Sequence, residues 1–261
     1  MARQRSAFYD TIEYIGPRPE KPKRPNFFGG WVILVIAAGI GFMIGRPFIP
    51  FLKAAQAGTS AEEANMVISN LESSHNMGDR LAAAALVAYS SAPVTYDDTY
   101  RTIDYPNGDI PLNRGKAEDV IIRCYRQIGI DLQQLVHDDM EENFRLYPQL
   151  WQATGPDTNI DHRRAANLQR FFSRNGDEIL DENNRPSREA KDYHPGDIVT
   201  WTLPNGDAHI GIVVPSPLDR GNHPWIVHHL DSGVKWENVL FDYQITGHYR
   251  YPAATVQANA K

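Results

Sequence analysis

Pro195-Gly-Asp-Ile-Val-Thr-Trp201, followed after a short break by His209-Ile-Gly-Ile-Val-Val214, decides how the rest of the chain is read. Pro195 and Gly196 punctuate a turn, where Asp197 can bond its own backbone. Ile198 to Trp201 is β-branched and aromatic, the composition of a strand. Leu203-Pro-Asn-Gly-Asp207 carries hairpin-turn chemistry, with Asn205-Gly206 its strongest signal. A second antiparallel strand therefore follows, and it opens on a histidine. His209 is thus expected on a rigid element at the rim of a sheet, where a general base is well placed.

Working outward, Trp225-Ile-Val-His-His-Leu230, Val239-Leu-Phe-Asp-Tyr243 and Ile245 to Tyr251 read as further strands. Upstream, Ala117 to Gln127 is helical, with Val120, Ile121, Cys124 and Ile128 as its apolar stripe and Gly129 as its stop. Asp131 to Leu146 and Asn159 to Arg174 carry further helices, and 177–194 is charged and loop-like. Val94-Thr-Tyr96 and Thr102-Ile-Asp-Tyr105 read as short strands. Helices first and a meandering antiparallel sheet second make an α+β arrangement, with no internal repeat. Before this domain, Ser60 and Glu63 offer a capping box for a helix through about Ser74, and Arg80 to Tyr89 is an alanine-rich helix. These two helices either form a stalk or pack on the domain.

The 261 residues allow one sizeable domain with attachments, and 42% hydrophobic with 10% aromatic residues rules out general disorder. A net charge of -6 argues against nucleic acid as a partner. Cys124 stands alone, so no intrachain disulfide forms. Arg3, Arg5, Arg18, Lys21, Lys23 and Arg24 precede an uncharged run, Phe27 to Gly45, while only Arg46 and Lys53 closely follow it. The run is long enough for a bilayer core, and the charge bias puts the basic end inside. Ala55-Gln-Ala57 resembles a processing site, but the length of the basic region and of the run favours a signal anchor. The expected organisation is a cytoplasmic basic arm (1–26), a transmembrane anchor (27–52), a helical stalk or linker (53–93), the compact domain (94–251) and a tail (252–261). A single-pass bacterial inner-membrane protein follows, with its C-terminal domain periplasmic.

His209, His228 and His229 fall on or beside the sheet. Thiol or hydroxyl attack needs a nucleophile at a helix N-terminus, a base beside it and a polar group orienting that base. The start of the helix at Ala117 is the place for the first, His209 is the base, and His228 or His229 the orienter; alternation allows only one of the two to face a cleft. Asp161-His-Arg-Arg164 is either a clamp for a substrate carboxylate or a salt-bridge cluster at a helix start. No H-x-x-x-H or H-E-x-x-H spacing, Gly-rich phosphate loop or G-x-S-x-G elbow occurs, so neither a metal site nor a cofactor is expected.

The order of these elements resembles the papain-like NlpC-type peptidoglycan hydrolases and, more closely, domain-of-unknown-function family 1287. Its hallmarks stand here as Y-P-N-G-D-I-P (105–111), D-L-Q-x-L-V-H-D-D-M (131–140), P-D-T-N-I-D-H-R-R (156–164), P-G-D-I-V-T-W (195–201), A-H-I-G-I-V (208–213) and G-H-Y-R-Y (247–251). The resemblance covers roughly 94–251. It implies a small papain-like cysteine-hydrolase fold, cleavage of amide bonds in murein stem peptides, and substrate contacts at Tyr105, Asp109, Asp119, His162, Arg163 and Trp201.

One departure changes that expectation. The family's helix opens with a Gly-x-Cys-Thr-Asp-like sequence whose cysteine is the presumed nucleophile, whereas this chain reads Gly115-Lys-Ala-Glu-Asp119. Ala117 has no lone pair to attack with, and Cys124 lies about 10 Å further along the helix axis. The chain is therefore expected to be a catalytically silent protein that binds murein stem peptides or a cell-envelope protein. Its alternatives are an inactivated copy of an active cysteine amidase or endopeptidase, and a protein-interaction module with a degenerate cleft. Lys116 and Glu118, where the family has smaller uncharged residues, favour natural loss.

Overall fold

The computed structural model of the chain describes residues 16, 27–45, 61–217, 220–221, 223–230 and 233–252. The rest of the basic arm, the stretch 46–60 with Ala55-Gln-Ala57 and the Ser60 cap, and the tail from 253 lie outside the described residues. The chain divides into two units, 1–49 and 50–261.

In the first unit the uncharged run forms helix α1 (Phe27–Gly45). Among the described residues, however, no helix is long and apolar enough to cross a membrane. The expected transmembrane anchor and single-pass inner-membrane location are corrected accordingly.

The second unit is α+β. Helices α2 (Ala61–Glu72), α3 (Met77–Ser90), α4 (Ala117–Gln127), α5 (Leu132–Asn143) and α6 (Ala165–Asn175) come before a sheet of β3 (Asp177–Glu178), β4 (Ile198–Thr202), β5 (Ala208–Val214), β6 (Trp225–His229), β7 (Val234–Glu237) and β8 (Gln244–Arg250). The strand order is β3-β8-β4-β5-β6-β7, with every neighbouring pair antiparallel. A separate parallel pair joins β1 (Thr95–Tyr96) to β2 (Arg114–Gly115), immediately before α4.

Side-chain alternation gives the sheet two buried faces. Ile198, Ile210, Ile212, Val214, Trp225, Val227 and Tyr249 share one core with Leu81, Val120, Ile121, Leu132, Leu168 and Phe172 of the helices. Val199, Trp201, Val213 and Ile226 form a second core with Tyr193, Val239 and Leu240. The helices α2 and α3 pack into the first core through Val67, Leu71 and the buried run Leu81 to Leu86, so they are part of the domain and not a stalk.

Residues 239–243, expected as a strand, form a turn over the second core, where Trp201 Nε1 donates to the Leu240 carbonyl at 2.9 Å. The strand lies just before it, at Val234–Glu237. Thr102 to Tyr105 is also not a strand; Ile103 N–H donates to Asn159 Oδ1 at 2.9 Å instead of to a neighbouring strand.

The Pro195-Gly-Asp turn is clamped from both ends. Asp197 accepts from His194 N–H (2.9 Å), His248 Nε2 (2.8 Å) and Arg250 Nε (2.7 Å). Burial pushes its carboxyl up, but the His248 and Arg250 hydrogen bonds outweigh that and hold it below the usual carboxylate range. Gly196 has φ +86°, and a Cβ there would lie 2.2 Å from the Gly78 carbonyl oxygen at the start of α3. Both the backbone angle and the approach of α3 require glycine. Gly196→Ala is expected to lower stability by about 3 kcal/mol or more. Urea unfolding checks this, and an unchanged midpoint would contradict it.

Candidate functional site

His209 Nε2 lies 2.9 Å from His228 Nδ1, and His228 Nε2 lies 3.3 Å from Glu237 Oε2. Strand register produces this line. Ile212 of β5 pairs with Val227 of β6, and Ile226 of β6 with Glu237 of β7, so the three side chains are diagonal neighbours on the Trp201 face. The His209 ring stands 6.0 Å from that of Trp201.

Proton positions follow from the carboxylate. Burial pushes Glu237 up, but the His228 hydrogen bond holds it below its ordinary value, so it accepts. His228 then donates from Nε2 and accepts at Nδ1, and His209 donates from Nε2, which makes Nδ1 the basic nitrogen of that tautomer. Burial first, then the charges of His228 and His229, push His209 down to about 3. The ring is neutral at pH 7.

Acid sensitivity follows. His162 is also pushed down to about 3, by burial first and then by Arg126 and Arg163. In the unfolded chain both rings take up protons near 6.5; in the folded chain they stay neutral to about 3. The unfolded state binds more protons as pH falls through this window, so stability is lost at about 1.4 kcal/mol per pH unit per group. From pH 6.5 to 4.5 the two histidines are expected to remove roughly 5 kcal/mol. Urea midpoints across this range measure the loss. His209→Gln should remove about half the slope, and a flat profile would contradict the assignment.

His229 points to the opposite face. Its Nε2 bonds the Val94 carbonyl at 2.9 Å and its ring stacks on Tyr96 at 6.2 Å. Val94 leads into β1, β1 pairs with β2, and β2 leads through Lys116 into Ala117, so the start of α4 comes to the rim where His229 ends β6. Ala117 is 3% exposed and belongs to the helix-side core, whereas the His209 ring belongs to the other face. Cys124 is fully buried, and burial pushes its thiol up to about 12.

Most of the expected substrate contacts are engaged within the fold. Asp119 accepts from Lys116 N–H at 2.9 Å and from Arg163 Nε and Nη2 at 2.7 and 3.2 Å. Arg163 also donates to the carbonyls of Thr99 and Asp97, at 3.1 and 3.3 Å. Asp109 takes two hydrogen bonds from Arg123, both 2.9 Å, and Trp201 is buried. Tyr105 is half-exposed and donates to Asp138 at 3.0 Å. His162 is buried, with its Nδ1 unpartnered among the described residues.

The next residue, Arg164, stands in a cleft of about 590 Å³ together with Trp151, Asp157 and Asp161. Asp161 and Arg164 fall in the Asp161-His-Arg-Arg164 stretch read from sequence as either a carboxylate clamp or a salt-bridge cluster, whereas neither Trp151 nor Glu237 was singled out. Glu237 was missed because its strand was placed a few residues too late, and no periodic signal marks Trp151.

The family model described as Domain of unknown function (DUF1287) matches residues 81–251. The chain belongs to this family. The Escherichia coli (strain K12) protein named "Uncharacterized protein YijF" is 47% identical over 156 residues, covering 60% of this chain and 73% of that protein. No solved structure matches. The DUF1287 segment begins within α3 and takes in the His209–His228–Glu237 line, the Asp119–Arg163 pair and the cleft.

Proposed function

We propose that this DUF1287 domain binds murein stem peptides without cutting them, on a papain-like, NlpC-type scaffold in which Ala117 occupies the nucleophile's place. The observation that carries this is the lack of a usable thiol. Ala117 offers a buried methyl group at the start of α4, and Cys124, the chain's single cysteine, is fully buried with its thiol pushed up to about 12. A thiol that stays protonated is neither nucleophile nor anion. The His209–His228–Glu237 line supports a retained polar site, since it keeps a neutral, oriented imidazole at the head of β5. Without a nucleophile beside it, that imidazole can only hydrogen-bond to a ligand.

Sedimentation with insoluble peptidoglycan tests the binding. The purified chain is expected to pellet with it and to be released by free stem peptides. A chain that stays in the supernatant at every concentration would overturn the reading and leave a cell-envelope protein as the partner to seek.

A further inference from the structure

The loop 151–160 and the segment Asp161–Arg164 bound the cleft of about 590 Å³, which is lined among others by Tyr100, His137, Trp151, Asp157, Asp161 and Arg164. Two adjacent arginines behave differently here. Arg163 is buried and directs its Nε and both Nη groups at Asp119, Thr99 and Asp97. Arg164 lies with its guanidinium 4.0 Å over the Trp151 ring, and that side chain makes no hydrogen bond or ion pair with a described residue. Burial lowers its pKa, opposed by the charges of Asp161 and Asp157. Its fork of donors is therefore held over an aromatic ring and left available.

Trp151 and Gln152 hold φ of +59° and +54°, a left-handed conformation that costs non-glycine residues about 1–3 kcal/mol each. The strained pair presents Trp151 as a half-exposed platform (51%) under the guanidinium.

Across the cleft, Asp157 is fixed by Asn159 N–H at 2.8 Å and by the Tyr100 hydroxyl at 3.1 Å. Asp161 accepts the Asp157 N–H. A simple anion would face these two carboxylates, and a simple cation would face the guanidinium. A molecule carrying both charges matches both.

We propose that this cleft binds a small zwitterion, its carboxylate on Arg164, its ammonium group against Asp157 and Asp161, and its carbon skeleton on Trp151. The site is separate from the histidine rim, so failure of peptidoglycan binding would leave it standing, and an empty cleft would leave the function proposed above untouched.

Calorimetric titration of the full chain with alanine, alanylalanine, N-acetylalanine and alaninamide tests it. The zwitterions are expected to bind saturably, and each singly charged probe at least about tenfold more weakly, the worth of one charge-assisted hydrogen bond. The stronger of alanine and alanylalanine shows whether the charges belong to a free amino acid or to the two ends of a peptide. Arg164→Gln should weaken both zwitterions about tenfold and leave alaninamide unchanged, whereas Asp157→Asn should leave N-acetylalanine unchanged. Equal affinity for all four probes, or no saturable binding by any, would overturn the proposal. The probe series on the unmodified chain gives this answer even if a variant fails to fold.

Discussion

If the chain binds murein peptides as proposed, Ala117→Cys is expected to make it cut them, with a gain on the order of 10⁶-fold, the usual cost of losing a catalytic nucleophile. A thiol there would sit at the N-terminus of α4, where the helix dipole favours thiolate. Two acidic neighbours in the first turn oppose this, but both are already paired. Glu118 accepts from Ala165 N–H at 2.8 Å and lies 3.2 Å from Lys116 Nζ, and Asp119 is held by Arg163. The base would be His209 Nδ1, oriented through His228 and Glu237. Ala117 and His209 belong to different faces of the sheet, so the gain is expected only if the start of α4 and the head of β5 come together at the rim. His209→Ala in the Ala117→Cys background should return release to the level of the unmodified chain, as measured by chromatography of soluble peptide. A restored chain that binds but never cuts would remove the hydrolase scaffold from the account and leave the binding role intact.

Arg163→Ala carries the largest expected effect on stability. The guanidinium is 1% exposed, and its bonds tie the start of α4 to the 97–99 segment and to the turn before α6. Removing it leaves the Asp119 carboxylate buried without its partner, which costs about 3–5 kcal/mol. Arg164→Gln, one residue along, should cost no more than about 1 kcal/mol, the worth of its contact with the Trp151 ring, because that side chain makes no hydrogen bond with described residues. Urea unfolding of the two variants compares them directly. Equal losses would mean that the buried pair does not hold α4 in place.

Local chemistry made much of the fold legible. The apolar stripe of Val120, Ile121 and Cys124 marks α4, and the observed helix runs Ala117–Gln127. Asn205-Gly206 marks the β4–β5 hairpin, where Gly206 takes φ +90°. Two-residue strands such as β1 and β2 have no room for a periodic signal, and Val239 to Tyr243 reads as a strand only because covering a core needs the same apolar residues as extending a sheet.

The site was legible in part. His209 and His228 meet because both fall on one parity of the sheet, which alternation alone left undecided between His228 and His229. What assigned His229 elsewhere was the Val94 carbonyl, distant in sequence and brought close only by the fold. In Asp161-His-Arg-Arg164 the residue types are identical at 163 and 164. Backbone direction out of the short helix at Asp161–Arg163 puts one guanidinium in the core and the other in the cleft.

On the proposed reading, this chain holds peptide but has nothing to attack it with. Mass spectrometry of purified stem peptides after long incubation with the unmodified protein tests it most directly. The account predicts intact peptides with no new amine or carboxyl ends. New ends formed at a rate that His209→Ala abolishes would contradict it.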